Sequence, residues 1–89
     1  MPSIDLVISN KLGLHARAAA KLTQLAGRYQ SEVHISRGGQ RVNAKSIMGV
    51  MMLAAGLGVS VRIDAHGDDA EKALADIQRL FEGKFGEAE

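Results

Sequence analysis

No cysteine occurs among the 89 residues. Disulfides, thiolate metal sites and cysteine nucleophiles are therefore excluded, and nothing points to an oxidising compartment. Aromatic residues make up only 3%, too few for a base-stacking platform. The formal net charge of +1 argues the same way, because bulk attraction to nucleic acid needs a large positive excess. No nucleic-acid partner is expected. No apolar run approaches membrane-spanning length, and Met1-Pro2-Ser3-Ile4-Asp5 lacks the basic-then-apolar layout of a signal peptide. A soluble, cytoplasmic chain without membrane insertion is the expectation. What is present fits one domain over residues 1–89, with the 46% hydrophobic content of an ordinary globular protein and a modest core.

Ile4, Leu6 and Ile8 alternate with Ser3, Asp5 and Val7, which predicts a half-buried strand. Asn10 to Leu14 is a glycine-containing turn. Ala18, Leu22, Leu25, Ala26 and Tyr29 share a face at helical spacing, predicting a helix from Ala16 to Gly27 or Arg28. Val33 and Ile35 mark a second strand, Arg37-Gly38-Gly39-Gln40 a hairpin turn, and Gln40 to Asn43 a short third strand. Ser46 takes the N-cap place of a second helix that stops at Ala54-Ala55-Gly56-Leu57-Gly58. Val59, Val61, Ile63 and Ala65 give the cleanest strand alternation. Asp68 with Glu71 predicts a capping box, opening a third helix striped by Ala70, Ala73, Leu74, Ile77, Leu80 and Phe81 and closed by Gly83. Gly86-Glu87-Ala88-Glu89 is expected to fray. The order βαββαβα, with strands apolar on one face, calls for an α+β two-layer sandwich whose sheet is covered by helices on one side only.

One histidine stands where the first helix begins, in Gly13-Leu14-His15-Ala16-Arg17. The first turn of a helix carries N–H groups without intrahelical partners and the positive end of the dipole, which together attract anions, phosphate above all. A cationic imidazolium is disfavoured there, so the neutral, nucleophilic ring is favoured. Arg17, two residues on, opposes the dipole and so asks for an anion. The amides of Ala16 and Arg17 would hold phosphoryl oxygens beside it.

Asn10-Lys11-Leu12-Gly13-Leu14-His15-Ala16-Arg17 resembles the active-site stretch of HPr, the histidine-containing phosphocarrier family of the bacterial phosphotransferase system. Ala44-Lys45-Ser46-Ile47-Met48-Gly49-Val50-Met51 resembles that family's regulatory serine segment. The resemblance covers nearly the whole chain. It implies a four-stranded antiparallel sheet in the order one, four, two, three under three helices. It further implies that His15 accepts a phosphoryl group, on Nδ1, from enzyme I and passes it to A-type acceptor domains, sugar-specific or nitrogen-regulatory. A serine kinase or phosphorylase acting on Ser46 would be a further partner. One position departs from the family's pattern: Ala18 follows the arginine where proline is usual, and proline there loses only an N–H that would be unpaired anyway.

A carrier of this kind is not itself an enzyme, needs partner enzymes to turn over, and uses no cofactor. No carboxylate cluster suits Mg²⁺, no glycine loop suits a nucleotide, and His15, His34 and His66 are not spaced as metal ligands. Docking is expected on Ile47, Met48, Met51 and Met52, whose methionines adapt to several partners, with Lys11, Lys21 and Lys45 as basic neighbours. Phosphorylating Ser46 would set a dianion beside that patch, tolerated by the helix but hostile to an acidic partner. Ser46 serves equally well as a plain N-cap, and the two roles are compatible. His34 and His66 are expected on the outer surface, and Met48 and Met51 could lie partly in the core. A monomer is expected. Two other classes stay open on the residues alone: a module that binds a phosphorylated metabolite without covalent bond, and a scaffold indifferent to His15.

Overall fold

The computed structural model describes residues 2–89. Its elements are β1 (Ser3–Val7), α1 (Ala16–Ala26), β2 (Glu32–Arg37), β3 (Gln40–Asn43), α2 (Ile47–Met52), β4 (Ser60–His66) and α3 (Ala70–Glu82), followed by a single 3₁₀ turn, Lys84–Gly86. The strands form one antiparallel sheet in the order β1-β4-β2-β3. Register places Ile4, Ile63, Ile35 and Val42 side by side across all four strands. Ile35 and Ile63, on the two central strands, are fully buried, and the edge residues Ile4 and Val42 pack partly against them. The helices cover this face: α1 buries Ala18, Ala19, Leu22 and Ala26, and α3 buries Ala70, Ala73, Leu74, Ile77 and Phe81. Small alanines on α1 let it pack closely beside α2 and α3, while α3 lies against β1 and β4.

The opposite face carries charge. Arg62 on β4 donates to Asp5 on β1, with Nε–Oδ1 at 2.8 Å. Asp64, which alternation places on this outer face, is only 8% exposed. The guanidinium of Arg41 folds over it with contacts of 2.7 and 3.2 Å, and His34 Nδ1 lies 3.9 Å away. His34 is thereby half-buried, whereas the sequence predicts a plain surface residue; His66 is exposed as expected. The long arginine reaching across β2 causes the difference.

Two further expectations are corrected. Asp68 and Glu71 do not form a capping box: Asp69 takes the N-cap position of α3 and makes no side-chain cap bond of its own. Its carboxylate instead accepts from the Gln30 amide (2.9 Å), the Ser31 amide (3.0 Å) and the Ser31 hydroxyl. Gly67, at φ 146°, makes this meeting possible, since a Cβ there would stand 2.5 Å from Ser31 Oγ. The hydrogen bond from Ser31, then that from the Gln30 amide, hold the Asp69 carboxyl below the usual carboxylate range.

The acidic tail does not fray either. After Gly83, both Lys84 and Phe85 adopt left-handed conformations (φ 54° and 57°) and Gly86 follows at φ 79°, which reverses the chain. Phe85 is 1% exposed, its ring centroid 4.8 Å from that of Phe81. Lys21 Nζ donates to the Phe85 carbonyl at 2.6 Å. An apolar anchor and one charge-assisted bond therefore carry residues 87–89 back toward the start of α1.

Candidate functional site

His15 is the N-cap of α1, in extended backbone conformation, and its side chain makes no cap bond. The loop before it is fixed by close packing. Gly13 sits at φ 65°, where an added Cβ would lie 2.6 Å from the Ala55 carbonyl oxygen, and the Leu14 N–H donates to that same carbonyl at 2.9 Å. His15 thus projects from a loop clamped against the end of α2. The first helical bond runs from the Ala19 N–H to the His15 carbonyl (2.8 Å), and among the described residues no acceptor meets the amides of Ala16, Arg17 or Ala18. These are the orphan donors of a helix start. Arg17 is exposed and has no ion pair or hydrogen bond among the described residues.

Glu87 closes the other side of the ring. Its Oε2 lies 2.6 Å from His15 Nε2, and its Oε1 accepts from Asn10 Nδ2 at 3.1 Å. Asn10 is fully buried and also donates to the Gly13 carbonyl (2.8 Å), so the carboxylate is oriented by the same loop that positions the histidine. The hydrogen bond to His15, then that to Asn10, lower the Glu87 pKa, with the Lys21 charge helping. An ionised carboxylate only accepts, so the short contact calls for a proton on Nε2, and the tautomer it selects carries its lone pair on Nδ1.

An open groove of about 780 Å³ runs past Lys11, Leu12, His15, Arg17 and Glu87. It brings together four residues the sequence singles out, Lys11, His15, Ala16 and Arg17. The rest of that set lies elsewhere. Lys21 is held on the Phe85 carbonyl, and Lys45 Nζ donates to the Tyr29 carbonyl at 2.8 Å. Ser46 caps α2, its Oγ accepting from the Gly49 N–H at 3.2 Å. Ile47, Met48, Met51 and Met52 are all exposed, Met48 to 69%, while Val50 alone on α2 is buried. No group of three or more His, Asp or Glu among the described residues is arranged to hold a metal ion. Glu87 and Asn10 escaped the sequence reading. The usable signal was Phe85, an apolar residue just past a helix stop that needs burial and so draws the tail inward.

His15, Ala16 and Arg17 line this one groove at the start of α1, where the first-turn amides have no partner among the described residues. The family model described as "PTS HPr component phosphorylation site" matches residues 2–83. The chain belongs to the HPr family. "Phosphocarrier protein HPr" of Cupriavidus necator is 56% identical over 85 residues, covering 96% of each chain. Among solved structures, HPr-C-His from Thermoanaerobacter tengcongensis superposes with a TM-score of 0.96 at 43% identity, covering 100% of both chains. HPr from Bacillus anthracis strain Ames gives 0.86 at 41% identity, covering 90% of this chain and 95% of that one. HPr proteins are phosphocarriers of the phosphotransferase system, and the solved HPr structures superpose on 90–100% of this chain. No helix among the described residues is long and apolar enough to cross a membrane.

Proposed function

We propose that His15 is the phosphoryl acceptor, taking the group on Nδ1 from phospho-enzyme I and passing it to A-type acceptor domains that serve sugar uptake or nitrogen regulation. One observation carries this reading: a histidine at the very start of a helix, its Nε2 engaged by Glu87, stands next to unpaired first-turn amides and an arginine without a partner among the described residues. Nδ1 forms a bond to phosphorus as the bond to the donor breaks, and that electron pair stays with the donor. Arg17 and the amides of Ala16 and Arg17 stabilise the charge on the phosphoryl oxygens. Few ligands, all at the surface, suit a group that must leave again.

The protein turns over only with its partner enzymes and works as a monomer in the cytoplasm. Ile47, Met48, Met51 and Met52, with the groove residue Lys11, form the docking surface; Lys21 and Lys45 lend charge from its margins. A phosphate on Ser46 would keep its place at the N-terminus of α2 while repelling acidic partners, which makes Ser46 a regulatory site. The test is mass spectrometry after incubation with enzyme I and phosphoenolpyruvate. Wild type gains one acid-labile, base-stable phosphoryl group and His15→Ala gains none; an unlabelled wild type, or a labelled variant, overturns the assignment. Transfer from the labelled protein to each class of acceptor domain decides the branch.

A further inference from the structure

The Glu87 carboxylate is too well placed to be a passive neighbour of the ring. It is 15% exposed, both of its oxygens are engaged, and a fully buried asparagine aims it. The strap that delivers it is anchored by Phe85 and by Lys21. We propose that Glu87 is a positioning residue that holds the Nε2 proton on His15 through the whole transfer cycle, so that the ring departs from phosphorus as neutral imidazole. This rests on the phosphocarrier reading and adds to it a residue that acts on the leaving group.

The chemistry follows from the two ring nitrogens. When Nδ1 attacks, the neutral ring becomes a phosphorylated imidazolium that keeps its proton on Nε2, and the carboxylate at 2.6 Å balances the new positive charge. When the P–N bond breaks, its electron pair returns to Nδ1. With Nε2 protonated the departing group is neutral imidazole. With Nε2 bare it would be imidazolate, a far stronger base and a poorer leaving group. Glu87 therefore keeps the phosphoryl group transferable at pH values where an unassisted ring would lose that proton.

Other charges face the same pair. Arg17 and Lys21 come from α1, Lys11 from the preceding loop, and Glu89 from the strap itself, 3.7 Å from Lys11 Nζ. The cations favour loss of the Nε2 proton and the second carboxylate opposes it, but only Glu87 bonds to the nitrogen directly.

The experiment follows hydrolysis of the phosphorylated protein between about pH 5 and about pH 9 for wild type, Glu87→Gln and Glu89→Gln. Nitrogen NMR of His15 in the unphosphorylated proteins reads the tautomer. Glu87→Gln keeps an acceptor near Nε2 but removes its charge, so the pH midpoint of hydrolysis falls by about one unit and the alkaline lifetime of the label rises about tenfold. Its neutral ring becomes a mixture of tautomers. Glu89→Gln, with the same change in net charge but no bond to the ring, shifts the midpoint far less and leaves the tautomer as in wild type. Equal profiles and an unchanged tautomer in Glu87→Gln, or an equal shift in Glu89→Gln, would overturn the proposal. Failure of wild type to label defeats the phosphocarrier reading instead, and the tautomer comparison still decides what Glu87 does to the ring.

Discussion

Truncating Phe85 to alanine tests whether the strap is truly part of the fold. The ring is 1% exposed and stacks at a tilt on Phe81, with centroids 4.8 Å apart. Removing a buried phenylalanine side chain costs about 3–5 kcal/mol when the cavity cannot collapse. The left-handed backbone at residue 85 gives no relief, because alanine there has a Cβ as well. Local opening limits the loss. The strap follows the last long helix, so it can detach by itself, and the measured cost cannot exceed the free energy of that local opening. A loss of about 2–3 kcal/mol is therefore expected, against a total stability of roughly 4–13 kcal/mol for a chain of this size. Urea denaturation gives the loss as a change in midpoint at constant slope. Hydrogen exchange locates it: amides of residues 84–89 should lose protection while those of β2 and β4 drop only by the global change. The His15 ring should simultaneously lose its contact with Glu87. A cost below about 1 kcal/mol with unaltered protection in the strap would refute the packing argument.

Gly13→Ala should destabilise by at least about 2 kcal/mol and slow phosphorylation of His15, because its new Cβ would meet backbone atoms at 2.6 Å in a left-handed conformation; thermal melts and label uptake check both. Ala54→Gly should stabilise by up to about 1 kcal/mol, since residue 54 sits at φ 49° and glycine relieves that strain at some entropic cost, measurable by urea titration. Asp69, like Glu87 and Asp76, has its pKa lowered on folding. Such groups stabilise the fold above the unfolded carboxylate range, and that contribution is lost as pH falls below about 4 and through the folded values. Asp69→Asn should therefore flatten part of the acid limb of a stability-versus-pH curve while lowering stability at neutral pH; an unchanged acid limb would show that the Ser31 contact has no such linkage.

Legibility followed the range of the interactions. β4 could be read because Val61, Ile63 and Ala65 all face one core, and period-two alternation is a local property. The place of His15 was legible for the same reason, since a glycine turn followed by an alanine-rich run announces a helix start. Ser46 as N-cap was equally local. Small shifts arose at element ends: β1 stops at Val7 although Ile8 is fully buried, because Ile8 bonds to Val59 and Gly58 past the end of the ladder. What escaped depends on partners distant in sequence. Glu87 and His15 are 72 residues apart, and Asp69 and Ser31 are 38 apart. Nothing in the composition of Gly86-Glu87-Ala88-Glu89 distinguishes a solvated acidic tail from one drawn over a site. Lys84 and Phe85 also turn the chain through left-handed conformations without glycine, against their own preference, which only the burial of Phe85 and the Lys21 bond offset.

In the proposed transfer, a ring with its proton fixed on Nε2 presents Nδ1 to phosphorus. Phosphorus and nitrogen NMR of the protein after exposure to enzyme I and phosphoenolpyruvate tests this most directly. One phosphoryl group is expected, coupled to Nδ1 of His15, with Nε2 still protonated at neutral pH. A phosphoryl group on Nε2, or on any other side chain, would contradict it.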